Sequence, residues 1–237
     1  MPGDYRVTYR VSSGETHDDQ HPLLLAETPI DTLEPIRPPN NYKGQRHITG
    51  LHFSPVTGRH HPFESRLEQG ALIRIDFEVR PRAIATQPFA LLYDDGGKRR
   101  GHIPDILLER QGQRPLVIDV KPGAFVEKNA RPFGALRDAC AEIGWDYAIW
   151  TEPDPVYASN LSFLFGYHRP PPGLTPVTEA LLARLASGPL PLTEVVADLG
   201  LPSLTRPVLF HLLWTRAIHT DLHGRLTDDS LLRLEAA

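Results

Sequence analysis

Apolar positions along the chain fall into short blocks whose spacing identifies the elements. Phe63, Leu67, Ala71 and Ile75 recur every fourth residue, which predicts an amphipathic helix over Glu64–Phe77. Ala83–Phe89 and Phe89–Tyr93 read as strand material, closed by the turn-forming run Asp94-Asp95-Gly96-Gly97. His102–Leu108 is the next expected strand. Gly112 marks a turn, and Leu116–Val120 is a short apolar strand broken only by Asp119. Ala130–Ile143 has the spacing of an amphipathic helix stopped by Gly144, and Trp145–Trp150 is a further strand. This order predicts an α/β domain over residues 48–168, a mixed sheet with helices packed on it.

The flanks differ in character. Residues 1–47 carry many Pro, Asp, Ser and Gln residues with little periodicity, so they are expected to form a poorly ordered arm that a partner or DNA would fix in place. Residues 169–173, in the run His168-Arg169-Pro170-Pro171-Pro172-Gly173, read as a linker, because proline fixes φ and lacks a backbone donor. Residues 174–237 show helical patterns at Val177–Ala186, at Leu192–Leu199 between Pro191 and Gly200, and at Leu204–Ala217 with Pro207 in its first turn. Ile218–Leu222 and Arg225–Thr227 around His223-Gly224 suggest a hairpin. Three helices and a hairpin give the pattern of a small winged-helix-like domain.

Composition narrows the function classes. Hydrophobic residues make up 41% of the chain and no apolar run is long enough to span a bilayer, so a membrane role is not expected. The first residues lack the apolar core of a secretory signal, and the single Cys140 excludes an intrachain disulfide. A cytoplasmic location fits both. The net charge of −4 is not that of a protein that coats DNA through bulk electrostatics. A DNA-acting protein of this balance needs a local basic patch or a DNA-binding partner. Residues 35–63 offer such a patch. Arg37, Lys43, Arg46, Arg59, His60 and His61 are candidate DNA contacts in a stretch without Asp or Glu, with a plain solvated arm as the alternative. From Pro171 onward five Arg face seven Asp and Glu, a balance of −2 that favours protein docking over DNA reading for the C-terminal domain. Leu209, Leu212, Leu213 and Trp214 there are expected to be core.

The candidate chemistry lies in Pro104-Asp105 and Asp119-Val120-Lys121. Asp105 and Asp119 are 14 positions apart, a strand–turn–strand distance that would bring both carboxylates to neighbouring points of one sheet. Alternation along a strand points Asp119 and Lys121 the same way. Two hard carboxylates suit Mg²⁺, with Mn²⁺ able to substitute, and Lys121 could hold an attacking water or offset charge on a phosphate. The bland alternative is an edge strand with an exposed salt-linked face. Glu68, on the first predicted helix, is a third candidate metal ligand, although Ser65-x-x-Glu68 is also a capping box. Cys140, between two alanines, reads as a buried helical thiol.

Taken in order, Thr57-Gly58-Arg59-His60-His61, Ser65-Arg66-Leu67-Glu68, Gln87-Pro88-Phe89, Pro104-Asp105-Ile106-Leu107 and Asp119-Val120-Lys121-Pro122 resemble the TnsA-like endonuclease subunit of heteromeric transposases, a PD-(D/E)xK nuclease. The resemblance covers about residues 49–152. It implies a restriction-endonuclease-like fold and a site of Glu68, Asp105, Asp119 and Lys121, with the three acids holding Mg²⁺. It also implies hydrolysis of DNA beside transposon ends, on the strand opposite to the one cut by a DDE-type transposase partner, leaving 5′-phosphate and 3′-hydroxyl. An ATPase regulator often joins such a complex. Asp119 stands at a position that varies between Gln and an acid in that family. A PD-(D/E)xK nuclease of restriction, repair or phage defence would use the same residues, and a non-catalytic winged-helix adaptor is a further reading.

Overall fold

The computed structural model describes residues 4–37, 48–172 and 174–235, which divide into two compact units, one reaching Glu152 and one starting at Pro153. In the first, strands β1 (Arg6–Val11) and β2 (Thr16–Gln20) precede helix α1 (Pro22–Ala26) and the short strand β3 (Leu33–Glu34). Strands β4 (Gly50–Ser54) and β5 (Arg59–Phe63) form a two-stranded ladder ahead of helix α2 (Arg66–Arg74). Next come β6 (Ala83–Thr86), β7 (Phe89–Asp94), β8 (Arg99–His102), β9 (Ile106–Glu109) and β10 (Leu116–Val120), then helix α3 (Ala130–Glu142) and strand β11 (Asp146–Trp150). The molecule is therefore a mixed α/β protein, as the hydrophobic pattern predicts.

The expected single sheet is two. A four-stranded sheet runs β11-β10-β9-β6, with β10 and β11 parallel and the other pairs antiparallel. A second, wholly antiparallel sheet runs β2-β1-β7-β8, with β3 added to β1. The break between β6 and β7 falls at Gln87, whose φ of 44° turns the chain out of the first sheet. The stretch expected as one strand over His102–Leu108 is likewise interrupted at Ile103–Asp105, so that β8 and β9 belong to different sheets.

Residues 6–34, expected as a poorly ordered arm, form β1, β2, α1 and β3 instead. In β1 only Val7 and Tyr9 are buried, and Arg6, Thr8 and Arg10 beside them are polar. Two inward positions make too short an alternation to stand out in sequence, yet pairing with β7 satisfies the backbone and buries both side chains. Lys43 and Arg46, two of the candidate DNA contacts, lie outside the described residues.

The four-stranded sheet is apolar on both faces. Ile84, Ile106, Leu108, Ile118 and Val120 pack against Ala71, Leu72 and Ile75 from α2 and the turn after it. Leu107 and Val117, on the opposite face, join a cluster with Leu91 and Tyr93 of β7 and Leu136, Ala139 and Cys140 of α3. Burial on both sides explains why Leu116–Val120 reads as a nearly continuous apolar run. Helix α2 runs on into a single π turn, Ile75–Val79, stopped by Arg80 in the left-handed region.

The second unit opens with helix α4 (Pro155–Phe165), which the sequence pattern did not reveal. Asp154 caps it, accepting bonds from the Val156 and Tyr157 N–H groups. Helix α5 (Leu174–Leu185), strand β12 (Leu190–Pro191), helices α6 (Leu192–Leu199) and α7 (Pro202–Thr215), and strand β13 (Leu231–Leu232) follow. Helix α7 starts two residues before the expected Leu204, at Pro202, so Pro207 lies inside it rather than in its first turn. The hairpin expected over Ile218–Thr227 does not form. His219 instead bridges Arg233, and β13 pairs antiparallel with β12. Leu209, Leu212, Leu213 and Trp214 are buried, as expected. No helix among the described residues is long and apolar enough to cross a membrane.

Candidate active site

One end of the four-stranded sheet opens into a cleft of about 660 Å³, and the four sequence-predicted residues Glu68, Asp105, Asp119 and Lys121 all line it. They come from three places in the fold. Glu68 sits in the first turn of α2, Asp105 immediately before β9, and Asp119 and Lys121 at the end of β10. Antiparallel pairing of β9 with β10 sets the start of one strand beside the end of the other, which is how residues 14 positions apart meet. The Val120 N–H donates to Asp105 Oδ2 at 2.7 Å and fixes that contact. Lys121 is anchored through its backbone N–H, which donates to the Trp150 carbonyl at 2.9 Å.

Glu68 makes the capping box foreseen for it and also lines the cleft. Ser65 is the N-cap of α2: its Oγ accepts from the Glu68 N–H at 3.1 Å and donates to Glu68 Oε1 at 2.9 Å. Glu68 Oε2 accepts from the Glu64 N–H at 2.7 Å. The capping bonds aim a largely buried carboxylate at the cleft. Its burial raises the pKa, and the Glu64 charge adds to this, against the stabilising bonds from Glu64 and Ser65 and the nearby Lys121 ammonium.

Asp105 is the most perturbed acid of the cleft. Burial, then the negative charges of Glu68 and Asp119, push its carboxyl up to about 8, while the Val120 bond and Lys121 work in the other direction. The Val120 bond and the Lys121 ammonium do not offset burial and the two neighbouring charges.

Asp119 is held from the opposite side of its strand. It is 1% exposed, and its carboxylate receives His102 Nε2 at 2.9 Å and 3.0 Å and the Tyr147 hydroxyl at 2.7 Å. Neither partner was evident in the sequence, since His102 and Tyr147 lie 17 and 28 residues away and only the strand order brings them in. Burial, and then the Asp119 charge, raise the pKa of the Tyr147 phenol, which therefore remains a donor.

The candidate DNA contacts separate. Arg37 lines the cleft and is paired with Glu64 at 2.8 Å. Arg59 and His60 are exposed on β5, with Arg59 donating to the Asp31 carbonyl. His61, expected to face DNA, is buried opposite His52 on the β4–β5 ladder, and its Nε2 lies 3.1 Å from Thr57 Oγ1. Burial, then the neighbouring His52, Arg59 and His60, push its pKa down to about 4, so it is a neutral core residue. Beside it is a polar network that the sequence did not announce. Buried Asp76, in the π turn after α2, bonds His52 Nε2 at 2.7 Å and the Ser54 hydroxyl, tying the ladder to the helix.

Among the described residues no three His, Cys, Asp or Glu side chains are close enough together to hold a metal ion as they stand. The donor set nevertheless suits a hard cation: carboxylate oxygens facing a water-accessible cleft, with an Asp105 whose ionisation is opposed by its neighbours and would be favoured by added positive charge. Comparison with protein-family models and with curated proteins finds no match to the chain.

Proposed function

We propose that this protein is a divalent-metal-dependent DNA endonuclease of the PD-(D/E)xK type, with a restriction-endonuclease-like nuclease domain. The observation that carries the proposal is the convergence of Glu68, Asp105, Asp119 and Lys121, spread over 54 positions of sequence, on one cleft at one end of a mixed sheet. Asp105, Asp119 and Glu68 would hold Mg²⁺ or Mn²⁺, which when bound supplies charge stabilisation at the scissile phosphate and an acidified water. Lys121 holds the attacking water and offsets charge as the phosphorus becomes five-coordinate. The water gives up a proton to solvent as its oxygen bonds to phosphorus, the bond from phosphorus to the 3′ oxygen breaks, and that oxygen takes up a proton from solvent. Arg37, now paired with Glu64 at the same cleft, would exchange that partner for a backbone phosphate.

The finer part of the proposal is a place in a TnsA-like heteromeric transposase, cutting transposon ends beside a DDE-type subunit. The ordered motif set supports it. So does the C-terminal unit, where α5, β12, α6, α7 and β13 follow the order of a winged helix while its negative charge favours a protein partner over DNA. The test is cleavage of supercoiled and transposon-end DNA with Mg²⁺ or Mn²⁺, with and without a DDE-type subunit. Loss of cutting in both Lys121→Ala and Asp105→Ala is expected. Undiminished cutting by either variant would sink the nuclease assignment. Efficient cutting of unrelated DNA without any partner would instead favour a restriction, repair or defence role.

A further inference from the structure

Among the other side chains that line the cleft, His102 touches one of the four residues expected from sequence. It ends β8, three positions before Asp105, so one short segment carries it and one of the acids into the cleft. Its Nε2 faces both oxygens of Asp119, at 2.9 Å and 3.0 Å, and its side chain is 18% exposed. An ionised carboxylate only accepts, so Nε2 carries the hydrogen. The ring also packs T-shaped against the Phe133 ring of α3, with centroids 5.7 Å apart and planes at 70°. The Tyr147 hydroxyl donates to Asp119 Oδ2 from β11, on the far side of β10 from β9.

Asp119 lies on the face of β10 that carries Val117, whereas Ile118 and Val120 pack toward Ala71 and Leu72 of α2. A buried carboxylate can occupy several staggered rotamers, and its hydrogen-bond partners choose among them. Resting on the nuclease reading above, we propose that His102 is a positioning residue: together with Tyr147 it fixes the rotamer of Asp119 and so sets how that carboxylate meets a divalent cation. Two donors leave part of the carboxylate's acceptor capacity for a metal ion, and hydrogen bonds of this kind orient ligands and tune their affinity.

The test uses the full-length chain and Mn²⁺ alone, titrated calorimetrically, with the metal-free melting temperature measured in parallel. His102→Leu should weaken Mn²⁺ binding by about 10–100-fold. His102→Gln, which keeps an N–H donor, should recover most of that loss although both variants melt alike without metal. Tyr147→Phe, which removes only the hydroxyl, should weaken binding by about tenfold and tests the same clamp if the leucine variant does not fold. Wild-type Mn²⁺ affinity in His102→Leu or in Tyr147→Phe, or equal weakening in His102→Leu and His102→Gln, would overturn the positioning role. Asp105→Asn separates the two ideas: if it binds Mn²⁺ like wild type, the metal-site reading beneath the proposal fails, whatever His102 does.

Discussion

Replacing Asp105 by Asn should stabilise the metal-free protein while removing its capacity to act. The carboxyl of Asp105 is raised from 3.8 to about 8 by burial and by Glu68 and Asp119. A carboxyl whose folded pKa lies above its unfolded value binds a proton more readily in the folded state. Its contribution to stability is complete below pH 3.8 and is lost as pH rises through about 8. Unscreened, the full shift would be worth about 6 kcal/mol, but Asp105 is half-buried and borders water in the cleft, which reduces this to about 2 kcal/mol. Asparagine is neutral at every pH, and its side-chain oxygen can still accept the Val120 N–H. At pH 8 in chelator the variant should therefore be more stable by about 2 kcal/mol, or about 5 °C in melting temperature for a unit of this size. The difference should shrink toward zero near pH 4. Scanning calorimetry of both proteins across that range gives the answer. A variant equal to or less stable than wild type at pH 8 would show that the cleft does not concentrate negative charge as described. Saturating Mn²⁺ should reverse the order by stabilising wild type alone, through its preferential binding to the folded state.

Other expectations follow from the residues around the site. His61 has its folded pKa depressed to about 4 from 6.5, so the folded state resists protonation and stability falls as pH drops from 6.5 toward 4, by about 3 kcal/mol. His61→Asn should flatten that slope in urea unfolding measured at pH 7 and pH 4.5, and an unchanged slope would mean another group titrates. Asp76→Ala strips the buried acid from His52 and Ser54 and should cost about 3 kcal/mol, read from the urea midpoint. A loss under about 0.5 kcal/mol, the range of ordinary surface substitutions, would mean that the network does not hold the β4–β5 ladder to α2.

The parts legible in sequence are those fixed by strong local pattern. Strand Leu116–Val120 and helix Leu192–Leu199 fall where the apolar runs and the flanking Pro191 and Gly200 put them, and Gly144, with φ of 73°, stops α3 as a left-handed glycine does. The Ser65 cap of α2 was equally local. Features set by long-range pairing were not visible. Strand β1 depends on β7, more than 75 positions later, and the division into two sheets depends on the left-handed turn at Gln87 rather than on hydrophobicity. The same distinction runs through the site. Asp105, Asp119 and Lys121 could be proposed because alternation along adjacent strands is local, and Glu68 because the helix that carries it has a clear apolar spacing. His102, Tyr147 and the Arg37–Glu64 pair surround them only through tertiary contacts spanning 17, 28 and 27 positions. His61 was misplaced for a related reason: a His-His pair in a polar stretch looks solvated until the opposite strand shows which of the two faces inward.

Calorimetric titration of Mn²⁺ into concentrated wild-type protein and into Asp105→Ala decides whether the cleft is a metal site, without requiring knowledge of the DNA or of a partner. Wild type should bind Mn²⁺, and the alanine variant should show no binding heat at the same concentration while remaining folded. Equal binding in the two proteins would place the metal elsewhere and remove the basis for a nuclease centred on Asp105.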